Sequence, residues 1–164
     1  MYQKEEIREL LDKKSISYEW MDHEAAFTID DMVRMGLDQN LEVAKNLFLR
    51  DAKGKNHYLI VVRADKRVDL KKFAEAVGLP KLSFASEERL QKYLGLKKGA
   101  VTPFGVLNDA EKQVQIYFDR DFIGMHRIGV HPNDNTASVF LSVNALIDII
   151  VQNGHELNVV EIPV

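Results

Sequence analysis

Three short stretches of this chain hold residue types that could do chemistry. Residues 131–135 read His-Pro-Asn-Asp-Asn between two apolar runs, Ile128 to Val130 and Ala137 to Leu141. A hairpin needs only about two to five loop residues, with Gly or Asn at the tip. This turn adds an imidazole, a carboxylate and two carboxamides, and loops held by rigid strands are where binding and catalysis concentrate. The same residues also make an ordinary Asx-rich turn, and alone the stretch does not choose between the two. Lys45-Asn46 opens a strand-like run; the lysine supplies a compact cation with three donors and the asparagine a donor and an acceptor. A lysine there is also what a solvated strand end looks like. The third stretch, Gly99-Ala100-Val101-Thr102-Pro103-Phe104-Gly105, is a loop whose glycines would let backbone N–H groups approach a substrate carbonyl, as oxyanion stabilisation requires. It could equally be a plain connection.

Other chemistries lack their residues. The chain has no cysteine, which removes disulfides, thiolate catalysis and Cys-based zinc sites. Its five histidines, His23, His57, His126, His131 and His155, include no pair at the helical spacing of a zinc protease. His126 and His131 stand an odd number of residues apart, so a regular strand would turn them to opposite faces. There is no phosphate-binding glycine loop, no dinucleotide fingerprint and no Gly-x-Ser-x-Gly elbow. The expectation is a site with no metal, no cofactor and no covalent nucleophile.

The elements that must position these residues are mixed. Residues 3–14 have the apolar spacing of a helix, and 16–20 alternate like a strand. Thr28 with Asp31 suggests the cap of a short helix through Met35, ended by Gly36. Runs 46–50 and 57–63 predict a hairpin across the turn 51–56. A helix follows over 69–77, closed by Gly78, and another runs from the Ser86 cap to Leu94. Val106-Leu107, an Asn108-Asp109 turn and 114–118 suggest a further hairpin. Strands at 128–130 and 137–141, a helix over 143–151 and a last strand over 157–162 complete the chain. Irregular mixing of helices and strands favours an α/β (α+β) fold: one domain, residues 1–164, with a central mixed, mostly antiparallel sheet flanked by helices.

At 164 residues the chain can bury a substantial core, and its 46% hydrophobic and 29% charged content is that of an ordinary globular protein. It has no apolar run of membrane-spanning length and no signal-peptide core at its N-terminus, so a cytoplasmic protein without a membrane partner is expected. The net charge of −3 is unevenly spread. Residues 1–44 balance to −6, residues 45–81 to +6 and residues 82–164 to −3. The basic middle could meet phosphates, although solvated Lys-rich faces read the same way.

With those motifs in view the chain resembles the trans-acting prolyl-tRNA editing proteins, relatives of the editing domain inserted in bacterial prolyl-tRNA synthetases. The resemblance covers nearly the whole chain. It rests on Val43-Ala44-Lys45-Asn46-Leu47-Phe48-Leu49, on the Gly99 to Pro103 loop with Phe104-Gly105-Val106-Leu107-Asn108-Asp109, and on His131-Pro132-Asn133-Asp134-Asn135, in that order. Within the family it is most similar to the branch that deacylates alanyl-tRNA mischarged on the proline tRNA. The resemblance implies hydrolysis of the aminoacyl ester at the tRNA 3′ end, with Lys45, Asn46 and His131 as catalytic residues. It implies substrate binding by Gly99, Ala100, Val101, Thr102, Pro103 and Asn133. Lys45 would position the terminal nucleotide or the ester and offset negative charge, Asn46 would hold the same site by hydrogen bonds, and His131 would line or orient the pocket. The implied partners are the acceptor end of mischarged tRNA(Pro), through residues such as Arg50, Lys53, Lys66 or Lys71, and prolyl-tRNA synthetase, with the protein a monomer. Two other readings stay open: a deacylase of the same family for Cys- or Ser-charged tRNA, and a non-catalytic module that binds tRNA or synthetase.

Overall fold

The structure is a computed structural model that describes residues 1–25 and 42–164; the short helix expected from Thr28 to Met35 lies outside the described residues. Helix α1 (Lys4–Lys13) leads into strand β1 (Tyr18–Asp22). The central run is β2 (Ala44–Asp51), β3 (His57–Arg63), α2 (Leu70–Val77), β4 (Leu82–Phe84) and α3 (Glu87–Leu94). A 3-10 helix (Pro103–Asn108), β5 (Val114–Asp119) and a second short 3-10 turn (Arg120–Phe122) follow. The chain closes with β6 (Ile128–Val130), β7 (Ala137–Leu141), α4 (Val143–Gln152) and β8 (Leu157–Val160).

The strands form two sheets. One is five-stranded and mixed, in the order β4-β2-β3-β5-β8, and the other is three-stranded and antiparallel, in the order β1-β7-β6. In the larger sheet β2 pairs antiparallel with β3 and β4, whereas β3–β5 and β5–β8 are parallel. The central sheet is mixed as expected but divides evenly, with two antiparallel and two parallel pairings; antiparallel pairing predominates only when the small sheet is included, because β5 joins β3 and β8 joins β5 in parallel order. The two sheets meet at β2, where Val43 bridges Gly129 and the Gly129 N–H donates to Glu42 O at 2.9 Å.

Strand β3 shows why this sheet is central. Its residues His57 to Val62 are all buried. Leu59 and Val61 enter one apolar cluster with α1, α3, α4 and the small sheet, while Tyr58, Ile60 and Val62 enter a second with Phe73 and Ala74 of α2. A strand covered on both faces needs a continuous apolar run, and Tyr-Leu-Ile-Val-Val supplies it. Helix α2 starts one residue later than expected because Asp69 is its cap, accepting from Lys72 N at 3.0 Å.

The expected hairpin through Asn108-Asp109 does not form. Thr102 caps and Pro103 begins a 3-10 helix through Asn108, the position where a proline's missing N–H costs nothing. Gly105 packs so closely there that a Cβ would stand 2.6 Å from Leu96 Cδ1. Strand β5 then joins β3 in parallel, with Asp109 Oδ2 accepting from Val114 N at 2.9 Å. The last strand ends at Val160, two residues short of expectation, and the three-residue edge strand β4 carried no recognisable signal. Among the described residues no helix is long and apolar enough to cross a membrane.

Candidate functional site

The two sheets bring the 99–105 loop, the start of β2 and the 131–136 turn to one end of the core between them. Asn46 Nδ2 donates to Val101 O at 3.2 Å. Thr102 Oγ1 donates to His131 O at 2.5 Å, and its oxygen accepts from Phe104 N at 3.4 Å. Stretches separated by dozens of residues are thus tied together through the loop. Gly95 ends α3 as its left-handed cap at φ 64°, and Gly99, at φ 84°, is a second left-handed position at the start of this loop. Ala100, Thr102 and Pro103 are buried. Among the described residues the N–H groups of Val101 and Thr102 donate to no carbonyl; Val101 is half-buried, which leaves its amide open to a ligand oxygen, whereas Thr102 is fully buried.

His131 is held firmly. Its Nδ1 lies 2.8 Å from Ala137 O; a carbonyl can only accept, so Nδ1 carries the proton and Nε2 is the acceptor. Burial pushes the imidazole below its ordinary pKa; the Ala137 carbonyl and Asp134 oppose the shift and His23 adds to it. The ring is therefore neutral at pH 7. Asp134 shapes the same turn, with Oδ1 accepting from Thr136 N at 2.8 Å and from Thr136 Oγ1 at 2.5 Å. Asn133 stands at φ 61°, a conformation asparagine tolerates, and its Nδ2 donates to Tyr2 O at 2.9 Å and Phe104 O at 3.4 Å. Its amide group thus anchors the turn to the N-terminal segment. Ala100 and Asn133 also line a cleft of about 490 Å³, bordered by Lys4, Lys97, Lys98 and Thr136.

Lys45 is not gathered with the others. Strand alternation places it on the face opposite Asn46: Ala44 and Phe48, in step with Asn46, belong to one core cluster, and Leu47 and Leu49, in step with Lys45, pack against the other. Its ammonium donates to the backbone carbonyl of Lys66. Burial holds its pKa below that of an ordinary lysine, with Asp65 partly opposing. The carbonyl it binds is fixed from below by Asp119, fully buried, which accepts from Arg63 N at 3.1 Å, Lys66 Nζ at 2.9 Å and Asp121 N at 3.0 Å.

This geometry also sorts the basic segment. Lys66 is committed to Asp119 and Asp121, at 2.9 and 2.7 Å, so the expectation that it meets phosphates is not supported. Arg50 donates to the carbonyls of Asp51 and Ala52 in its own hairpin turn, whereas Lys53 and Lys71 are exposed.

Sequence reasoning missed His23 and Ser138. His23 Nδ1 lies 2.7 Å from Glu24 O and its Nε2 2.8 Å from Ser138 Oγ, so Nε2 accepts from the buried hydroxyl. The His23 and His131 rings lie 5.9 Å apart. No local pattern signals a pair 115 positions apart. Among the described residues, no three His, Asp or Glu side chains come together as metal ligands.

Residues 23–149 match the aminoacyl-tRNA editing domain. The chain belongs to that family. It is 47% identical over 152 residues to the prolyl-tRNA editing protein ProX of Acetoanaerobium sticklandii, covering 93% of each chain. It is 31% identical over 157 residues to the prolyl-tRNA synthetase associated domain-containing protein 1 of Mus musculus, covering 92% of this chain and 91% of that one. A proline–tRNA ligase of Limosilactobacillus fermentum is 30% identical over 113 residues, 67% of this chain but 19% of the ligase. In fold, the chain superposes with a TM-score of 0.72 on a solved structure presented as a candidate trans-editing enzyme for prolyl tRNA synthetase, at 20% identity, covering 98% of this chain and 96% of that one. In this editing domain the loop, Asn46 and His131 share one end of the core, with Lys45 across the strand.

Proposed function

We propose that the protein is a trans-acting deacylase of mischarged tRNA(Pro), with alanyl-tRNA(Pro) as preferred substrate. The observation that carries this reading is that the 99–105 loop ties Asn46 and His131 together and presents the Val101 amide, which has no backbone acceptor. Water attacks the ester carbonyl, the acyl–oxygen bond to the terminal ribose breaks, and the proton from water passes to the departing ribose oxygen, giving alanine and free tRNA. The Val101 amide stabilises the developing oxyanion. His131, neutral with Nε2 as acceptor, orients the attacking water or a ribose hydroxyl and forms a wall of the pocket. Gly99, Ala100 and Pro103 shape the loop, and Asn133 fixes the turn that borders it.

Because Lys45 emerges on the opposite face, its role on this reading is to hold the terminal nucleotide, with the ester left to the loop. Lys53 and Lys71 supply phosphate contacts to the acceptor stem, which give affinity and position without sequence selection. The need for a second site is physical. A pocket gains only about 1–3 kcal/mol per methylene, so a synthetase site sized for proline admits alanine, and a smaller hydrolytic pocket removes it. On this reading the protein acts as a cytoplasmic monomer that meets prolyl-tRNA synthetase through their common tRNA, with no cofactor or metal.

The deciding experiment is a panel of tRNA(Pro) charged with alanine, cysteine, serine and proline, assayed with and without a chelator. Fastest turnover of the alanyl ester, untouched by chelation, is expected. Faster turnover of the cysteinyl or seryl ester would displace the alanyl assignment, and a chelator effect would overturn the metal-free mechanism. Lys45→Ala should abolish turnover, and full activity in that variant would exclude a role for the lysine. Lys53→Glu with Lys71→Glu should weaken tRNA binding and flatten its salt dependence.

A further inference from the structure

The Asn46 side chain is half satisfied. Its Nδ2 is spent on Val101 O at 3.2 Å, while its Oδ1 is buried with no hydrogen-bond donor. The bond to a carbonyl fixes which end of the amide faces the loop, so the other end can only accept. Buried polar atoms are rarely left unpaired, and an exception asks for a missing partner.

We infer that Asn46 Oδ1 accepts a hydrogen bond from the α-ammonium of the aminoacyl group, so that the site selects esters bearing a free, protonated amine. This rests on the deacylase reading given above and adds to it the feature of the acyl group that is recognised. With the carbonyl oxygen of the ester on the Val101 amide, the α-carbon lies one bond from the bound carbonyl carbon. Its amine then falls beside the acceptor that Val101 itself orients. Charge-assisted hydrogen bonds are the stronger class, and an ammonium satisfies a buried carbonyl oxygen better than a ribose hydroxyl does. The local charges permit it. Lys45 sits across the strand, bound to the Lys66 carbonyl, and His131 is kept neutral by burial.

The test compares alanyl-tRNA(Pro) with lactyl-tRNA(Pro), in which a hydroxyl of similar size replaces the amine. Each rate is corrected for spontaneous hydrolysis. Because a charge-assisted bond is roughly twice as strong as a neutral one, Asn46→Ala should lower kcat/KM on the alanyl ester about tenfold more than on the lactyl ester. Equal losses on the two esters would overturn the inference while leaving the deacylase reading intact. Hydrolysis of neither ester by the unmodified protein would bring down both. Circular dichroism and a thermal melt establish that Asn46→Ala is folded. Should it fail to fold, the unmodified protein decides: non-hydrolysable 3′-amide analogues of alanyl- and lactyl-adenosine compete for the site. The alanyl analogue should bind about tenfold tighter, again from the stronger charged bond, and equal binding refutes the assignment.

Discussion

Asp119→Asn tests the support beneath Lys45. The carboxylate is fully buried, its Oδ1 accepting from Lys66 Nζ and Asp121 N and its Oδ2 from Arg63 N. An asparagine keeps the shape but turns one acceptor into a donor. If its oxygen takes the Oδ1 position, its NH2 faces the Arg63 N–H; reversed, it faces the Lys66 ammonium. Either orientation sets donor against donor and leaves a part-buried group unpaired, a cost of about 1–3 kcal/mol. Lys66 also loses one of its two carboxylates, adding about 1 kcal/mol on the scale of hydrogen bonds to charged groups. A total near 3 kcal/mol, at about 2–4 °C per kcal/mol for a chain of this size, lowers the melting temperature by about 6–12 °C. Deacylation should fall further than the unfolded fraction explains, because the Lys66 carbonyl that holds Lys45 loses its anchor. Asp121→Asn is the control: its side chain is 43% exposed, and pairs that open to water are worth about 1 kcal/mol or less. Urea and thermal melts of both variants decide the matter. A shift within about 2 °C for Asp119→Asn, under 1 kcal/mol on the same scale, would refute the reasoning, as would equal shifts in the two variants.

Three further outcomes follow from the packing. His155→Ala strips the buried Asp109 carboxylate of a 3.0 Å partner and should cost about 2–4 kcal/mol in a urea melt, in the range for orphaning one member of a buried polar pair. Gly129→Ala places a Cβ 2.5 Å from Phe140 Cε1 and should cost about 1–3 kcal/mol, as overpacking does; Phe140→Leu in the same chain should recover most of it. Burial depresses the pKa of His131, and burial followed by the Arg89 charge depresses that of His57. Below the ordinary value of about 6.5 the unfolded chain takes up protons that these folded histidines refuse. Their contribution is therefore present above pH ~6.5 and is lost as pH falls. Melts from pH 7.5 down to 5 should show that loss, with a smaller slope in His131→Gln.

Local chemistry wrote much of this protein into its sequence. Asp69, Ser86 and Ser142 each cap the helix that follows by accepting from an N–H three residues on, a bond that requires only neighbours along the chain. The period-two pattern and the turn 51–56 placed the β2–β3 hairpin, and three motifs in order marked the family. Tertiary structure decided the rest. Whether the 103–108 stretch became a strand or a 3-10 helix depended on β3 offering β5 a parallel partner and on Leu96 closing over Gly105. Lys45 and Asn46, adjacent in sequence, were separated by the sheet itself, since successive strand residues point to opposite faces. His23 met Ser138, and Asp109 met His155, only because distant strands and loops packed together. Residue types and short-range hydrogen bonds are properties of the chain. Which side of a sheet a group faces, and which partner waits there, are set by burial across the whole fold.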